Sequence, residues 1–291
     1  MRHSLLLLPL LAAACAPAGQ PANDGLSQRP AAIVECLRET GATMLAAHRA
    51  GPRAGLPENA ISTIRANAGL GVLYAEIDVA QTADGQLFLM HDDTLDRTTT
   101  GSGRYDDRDW SEIAGLQLVD DDGNTVAETI PTLSDAFAAA RDTGLALNLD
   151  MKNVEIAQIV DAIHAENAQD LALIIAYTVE QAAEIHALDS SLTLSAPNRP
   201  DELAAAGVDL DQVYLWLGVR LPDAAEDAVL AERGLETSAG LFRLEDGTPG
   251  IYQQAREAGI EILSVDDVPT AVAALGGPDV LQNQIDACTV N

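Results

Sequence analysis

The sequence predicts an α/β fold of the (βα)8 TIM-barrel type, and three observations carry that expectation. Short β-rich runs alternate with helical patterns from about residue 40 to the C-terminus. About eight such runs are present, and repeated strand–helix–strand units with right-handed crossovers make a parallel sheet. No glycine-rich dinucleotide fingerprint and no Walker-type loop follows any of them, which weakens an open nucleotide-binding sheet. The 291 residues suit a single barrel of roughly 250 residues with a short N-terminal extension.

Taken in order, ATMLAAH (42–48) reads as a strand, and ENAISTIRANAGL (58–70) as a helix with apolar residues three and four apart. YAEIDVAQT (74–82) alternates like a strand, closes on the turn ADG (83–85) and leads into a third strand, QLFLMHD (86–92). The polar stretch DTLDRTTTGSGRYDDRDW has no period and predicts a short irregular insertion after strand three. A helix follows PTLSD, where Thr132 or Ser134 can cap it. LALNLDMK (145–152), LALIIAYT (171–178), LTLSAPN (192–198), VYLWLG (213–218), LETSAGLF (235–242) and IEILSVDD (260–267) complete the strands, each followed by a helical pattern.

The N-terminus reads as a targeting segment. Arg2 and His3 precede LLLLPLLAAAC, an apolar run too short and too sharply ended to span a bilayer. Its small residues before Cys15 resemble a bacterial lipoprotein signal, although Ala12 stands where leucine is usual. The expectation is a signal peptide over residues 1–14, lipidation of Cys15, and a flexible Pro- and Gly-bearing tether over residues 15–35. Residues 36–291 then form one barrel domain. The protein is expected to be exported and anchored at the cell envelope, facing the periplasm or exterior, with plain secretion as the alternative. In an oxidising compartment Cys36 and Cys288 can bridge, because a closed barrel brings its first strand and last helix together.

Sixteen Lys plus Arg against 45 Asp plus Glu give a formal charge of -29. Such a chain repels nucleic acid, since its basic residues are not clustered into a patch. Ionisable residues nevertheless gather at strand ends: His48 and Arg49, Glu76 and Asp78, His91 and Asp92, Asp150 and Lys152. In a parallel barrel these ends share one face, where active sites are built. Residues two apart on a strand point the same way, so Glu76 and Asp78 share a face, as do Asp150 and Lys152. Three inward carboxylates repel one another unless a cation sits among them, and hard oxygen donors suit Mg2+ or Ca2+. Singly, each residue has a structural explanation; coinciding at four successive strand ends, they describe a site for an oxygen-rich anion such as a phosphate ester.

The motifs AHRAG, LPENA, AEIDVAQTADGQLFLMHDDTLDRTTTGSG, IPTLSDAF and LNLDMK resemble the glycerophosphodiester phosphodiesterase family over about residues 42 to 153. The second half is similar only loosely, through GIEILSVDD. The resemblance implies a (βα)8 barrel, a divalent cation, and hydrolysis of a small-molecule glycerophosphodiester to glycerol 3-phosphate and an alcohol. It makes His48 and His91 the general acid and base, and Glu76, Asp78 and Asp150 the metal ligands. Arg49 and Lys152 would hold the phosphate, with Glu58 and Asn59 organising the rim. It also implies attack by the glycerol 2-hydroxyl and a cyclic phosphate that water opens.

Two departures stand out. The family's His-Arg-Gly is His48-Arg49-Ala50 here, and a positive φ at that position would cost alanine about 1 kcal/mol. The family's Glu-x-Lys is Asp150-Met151-Lys152, one methylene shorter. A lysophospholipase D or sphingomyelinase D-like activity is the alternative enzyme, with Tyr177, Trp216 and Leu217 as an apolar lip; a lipid-anchored binding protein with a decayed site is the alternative outside catalysis. Oligomeric state is left open.

Overall fold

A computed structural model describes residues 30–289. The chain opens with helix α1 (Pro30–Thr40), then β1 (Met44–Ala47), α2 (Ile61–Ala68) and the long β2 (Tyr74–Gln81). A hairpin strand β3 (Leu87–Leu89), the short helix α3 (Trp110–Ile113) and a two-stranded ribbon, β4 (Gln117–Val119) and β5 (Thr125–Thr129), follow. Regular alternation resumes with α4 (Leu133–Thr143), β6 (Ala146–Met151), α5 (Ile156–Glu166), β7 (Ala172–Ile175), α6 (Val179–Leu188) and β8 (Thr193–Pro197). It ends with α7 (Pro200–Ala205), β9 (Val213–Val219), α8 (Ala224–Ala231), β10 (Glu236–Gly240), α9 (Ile251–Glu257), β11 (Ile262–Val265), α10 (Val268–Ala274) and α11 (Pro278–Thr289).

Eight of these strands, β1, β2 and β6 to β11, pair in parallel around a closed ring. Closure is made by β11 against β1, with Ala47 opposite Val265. The expected barrel is present, with one change of membership. The run read as its third strand, β3, lies antiparallel to β2, with Val79 opposite Leu89. The reason is the turn at residues 83–85: three residues cannot hold the crossover helix that a parallel neighbour needs. The irregular insertion therefore belongs to the loop between the second and third barrel strands, and β6 is the third.

A second correction concerns the tether. Residues 30–35, assigned to it from composition, begin α1, because Ile33, Val34 and Leu37 form a helical stripe that buries completely. This stripe packs against Met44, Tyr74, Leu173, Tyr214 and Ile262 and closes the N-terminal mouth of the barrel together with α11. Arg38 adds a 2.7 Å bond from Nε to Glu236 Oε1. Cys36 and Cys288 are bonded, with their Cα atoms 5.6 Å apart. Residues 1–29, including Cys15, lie outside the described residues.

Between strands and outer helices runs a continuous aliphatic core. Helix starts are fixed by side-chain caps: Thr132 and Asp135 form a reciprocal capping box on α4, and Thr178 accepts from the Gln181 amide on α6. Under the hairpin, Phe88, Met90, Leu95, Tyr105 and Ile113 make a separate small core. That core anchors the irregular loop above the C-terminal mouth.

Candidate active site

β1 ends at Ala47 and turns at once into a single 3-10 turn, His48–Ala50. Arg49, Ala50 and Gly51 all take left-handed backbone, with φ of 49°, 68° and 77°. The position where alanine replaces the family's glycine thus does require positive φ, at a strain of about 1 kcal/mol. Ala50 is fully buried, and its carbonyl accepts from Asn67 Nδ2. At Gly51 an added Cβ would stand 2.6 Å from both Asn67 Nδ2 and Val268 Cγ2, so only glycine fits there. The turn points the Arg49 amide at Glu76 Oε2, 2.7 Å away.

Glu76, Asp78 and Asp150 are all buried, and one ligand oxygen from each lies within 4.8 Å of the others. Burial, then Asp78 and Asp150, push the Glu76 carboxyl well above the ordinary carboxylate range, against the Arg49 amide and Lys152. Lys152 Nζ lies 2.8 Å from Asp78 Oδ1 and 2.7 Å from Asp150 Oδ2. Burial would lower the Lys152 ammonium, but those two carboxylates outweigh it and raise it. Asp150 Oδ1 remains buried without a hydrogen-bond partner. An unsatisfied carboxylate oxygen within a group of three oxygen-donor side chains fits a hard divalent cation, so these residues could hold one.

The hairpin explains how His91 reaches the same rim. β2 runs past the barrel mouth, turns, and β3 brings the chain back until the Met90 amide bonds to the Asp78 carbonyl at 3.0 Å. His91 follows. Its Nε2 lies 2.7 Å from Arg49 Nη2, and its Nδ1 lies 2.7 Å from Asp92 Oδ1. A guanidinium only donates, so Nε2 accepts and the ring proton faces Asp92. His48 is held differently, with Nδ1 2.7 Å from Asp266 Oδ1 and its ring stacked on Phe242 at 4.0 Å.

Glu58 and Asn59 are both buried. Asn59 donates from Nδ2 to Asp78 Oδ2 at 2.7 Å and accepts from the Asp78 amide at 2.9 Å, which fixes that carboxylate. Glu58 receives Arg97 on both oxygens, at 2.7 and 2.9 Å, and Arg49 at 3.3 Å. Arg97 also bonds both oxygens of Asp92, and its guanidinium holds that carboxyl far below the usual range. Arg97 was hidden in the aperiodic insertion, where no spacing pattern marks it. Asp266 had a signal: closure puts the residue after the last barrel strand beside the residue after the first.

His48, Arg49, Glu76, Asp78, His91, Asp150 and Lys152 line one cavity of about 320 Å³ in the C-terminal mouth, whereas Glu58, Asn59, Asp92, Arg97 and Asp266 stand outside it. Trp216, Phe242, Ile175 and Tyr177 also line the cavity, as do Asn148, Ser195, Ser238 and Ser264. The Tyr177 hydroxyl donates to Asp150 Oδ2 at 2.8 Å. Trp216 and Tyr177 therefore do line the mouth, whereas Leu217 does not: strand alternation turns it outward into the aliphatic core.

Comparison with known proteins agrees with this architecture. A crystal structure of a glycerophosphoryl diester phosphodiesterase from Parabacteroides distasonis superposes with a TM-score of 0.74 at 25% identity, over 80% of this chain and 87% of that one. An Oleispira antarctica phosphodiesterase in complex with the product sn-glycerol-3-phosphate shares the fold at a TM-score of 0.63 and 23% identity, covering 86% of this chain and 99% of that one. In sequence, a glycerophosphodiester phosphodiesterase of Caldanaerobacter subterraneus is 38% identical over 112 residues, which is 38% of this chain and 46% of that protein. Human glycerophosphodiester phosphodiesterase 1 is 38% identical over 109 residues, 36% of this chain and 33% of the human one. The chain thus spans less than half the length of these sequence relatives. The Glycerophosphoryl diester phosphodiesterase family profile, however, matches residues 48–263, from the first histidine of the site to the last barrel strand, and the chain belongs to that family.

Proposed function

We propose that this protein is a metal-dependent phosphodiesterase that hydrolyses glycerophosphodiesters to glycerol 3-phosphate and an alcohol. The observation that carries the reading is one cavity lined by His48, His91, Arg49, Lys152 and three clustered carboxylates. Family membership and the product held by the Oleispira relative support the substrate class.

Glu76, Asp78 and Asp150 would hold Ca2+ or Mg2+, which when bound supplies positive charge to the non-bridging phosphate oxygens. Arg49 and Lys152 bind the phosphate, Arg49 through a planar fork matched to two oxygens. The glycerol 2-hydroxyl attacks phosphorus and gives its proton to one histidine, while the other protonates the departing alcohol as its P–O bond breaks. Water then opens the cyclic phosphate with the two roles exchanged. Glu58 and Asn59 keep Arg49 and Asp78 in place.

Export and lipid anchoring through Cys15 belong to the same proposal. The apolar leader and the Cys36–Cys288 bond support them, since disulfides persist in oxidising compartments. A second reading, cleavage of lyso-lipids, is favoured by the apolar mouth, where Tyr177 is 61% and Val219 41% exposed beside Trp216 and Phe242.

Incubation with glycerophosphocholine and with a long-chain lysophosphatidylcholine, each with Ca2+ or Mg2+, separates the readings. Release of glycerol 3-phosphate from the first is expected to exceed cleavage of the second. His48→Ala and His91→Ala should each lower turnover by about 100-fold or more. Unchanged turnover in both variants would overturn the assignment.

A further inference from the structure

His48 and Asp266 are brought together by barrel closure. Ala47 pairs with Val265, so the next residue on each chain, His48 on one and Asp266 on the other, leaves the sheet at adjacent points. The Asp266 backbone is itself pinned: its amide donates to Glu245 Oε2 at 3.0 Å, and Tyr252 donates to Glu245 Oε1 at 2.8 Å. On the other side of the ring, Phe242 lies nearly parallel, at 7°. Phe242 reaches this place because residue 240 is glycine: a Cβ there would stand 2.7 Å from Phe242 Cε1 and 2.8 Å from Trp216 Cη2.

We propose that Asp266 is the positioning residue for His48, and that with Phe242 it holds the imidazole with Nδ1 protonated and Nε2 facing the cavity. This rests on reading His48 as a proton-transfer group. A carboxylate only accepts, so it selects the Nδ1–H tautomer and opposes a ring flip that would exchange the two nitrogens. The aromatic face fixes the ring plane. His91 has no equivalent freedom, because Arg49 covers its Nε2. Among the described residues no side chain bonds to His48 Nε2, so His48 is the histidine poised before substrate binds. Phosphate binding by Arg49 would then uncover His91.

The test is Asp266→Ala, with Asp266→Asn as the conservative variant whose amide oxygen can still accept the Nδ1 proton. Asp266→Ala is expected to lower kcat by about 10- to 100-fold with KM changed less than about threefold, and Asp266→Asn to recover part of the loss. Long-range proton–nitrogen NMR of the neutral ring, without substrate, should show His48 as the Nδ1–H tautomer in the wild type and a shift towards Nε2–H in Asp266→Ala. If that variant fails to fold, Asp266→Asn and Phe242→Leu carry the same measurements. An unchanged kcat or an unchanged tautomer would overturn the proposal. So would a rise in KM alone, which would make Asp266 a substrate contact. The tautomer is read without turnover, so its result is independent of whether the chain cleaves glycerophosphodiesters.

Discussion

At its N-terminal mouth the barrel is shut by α1 and α11, an apolar plug with a disulfide and a part-buried ion pair between Arg38 and Glu236. At its C-terminal mouth the same eight strands hold clustered carboxylates, three successive left-handed residues and an open cavity. The closed end follows the local rules of packing except at the buried Glu261, whereas the open end breaks several at once. Like charges are buried together, two non-glycine residues, Arg49 and Ala50, take a glycine conformation, and a carboxylate oxygen lacks a partner. Such violations concentrate where stability is exchanged for chemistry.

If that contrast is right, mutations at the two ends should separate activity from stability. The largest effect is expected for Glu76→Ala, which should reduce metal-dependent turnover by about 1,000-fold or more. Its cation-free melting temperature should stay level or rise, because a like charge leaves a repelling cluster. A drop of many degrees in the cation-free protein would mean that Glu76 supports the fold. At the closed end, Cys36→Ser should do the reverse. It opens a cross-link spanning 252 residues and should cost about 2–4 kcal/mol by denaturant unfolding, with turnover unchanged at low temperature.

A smaller effect comes from Glu261, at the start of β11 on the closed side. It is buried, accepts the Thr237 amide at 2.7 Å, and burial pushes its carboxyl up to about 8. The folded state therefore prefers the protonated form, which brings no penalty below the unfolded value near 4.5. Stability should fall as pH rises from there through about 8, by on the order of 1–3 kcal/mol. Glu261→Gln should flatten that slope between pH 5 and 8.5 in urea titrations. An identical slope in wild type and variant would remove Glu261 from the account.

The open end was also the more legible of the two in the sequence. Glu76, Asp78, Asp150 and Lys152 declare themselves through period-two spacing and His48 through its place at a strand end, and all five line one cavity. Thr132 as a cap and the closed ring of strands were readable for similar local reasons. What was not readable depended on partners distant in the chain. α1 looked like tether because its apolar stripe has meaning only against a barrel floor. β3 looked like a barrel strand because alternation does not reveal direction; the brevity of its turn does. Arg97 and Phe242 owe their places to the folded insertion and to a glycine two residues away, neither of which leaves a periodic mark.

The central claim is that the open mouth works through a cation held by three carboxylates. It is tested most directly by stripping the protein with a chelator and titrating Ca2+ or Mg2+ back while following both calorimetric binding and release of glycerol 3-phosphate from a glycerophosphodiester. The account predicts one cation per chain, turnover that rises in step with occupancy, and neither signal in Glu76→Ala. Full turnover in the stripped protein, or undiminished cation binding by Glu76→Ala, would contradict it.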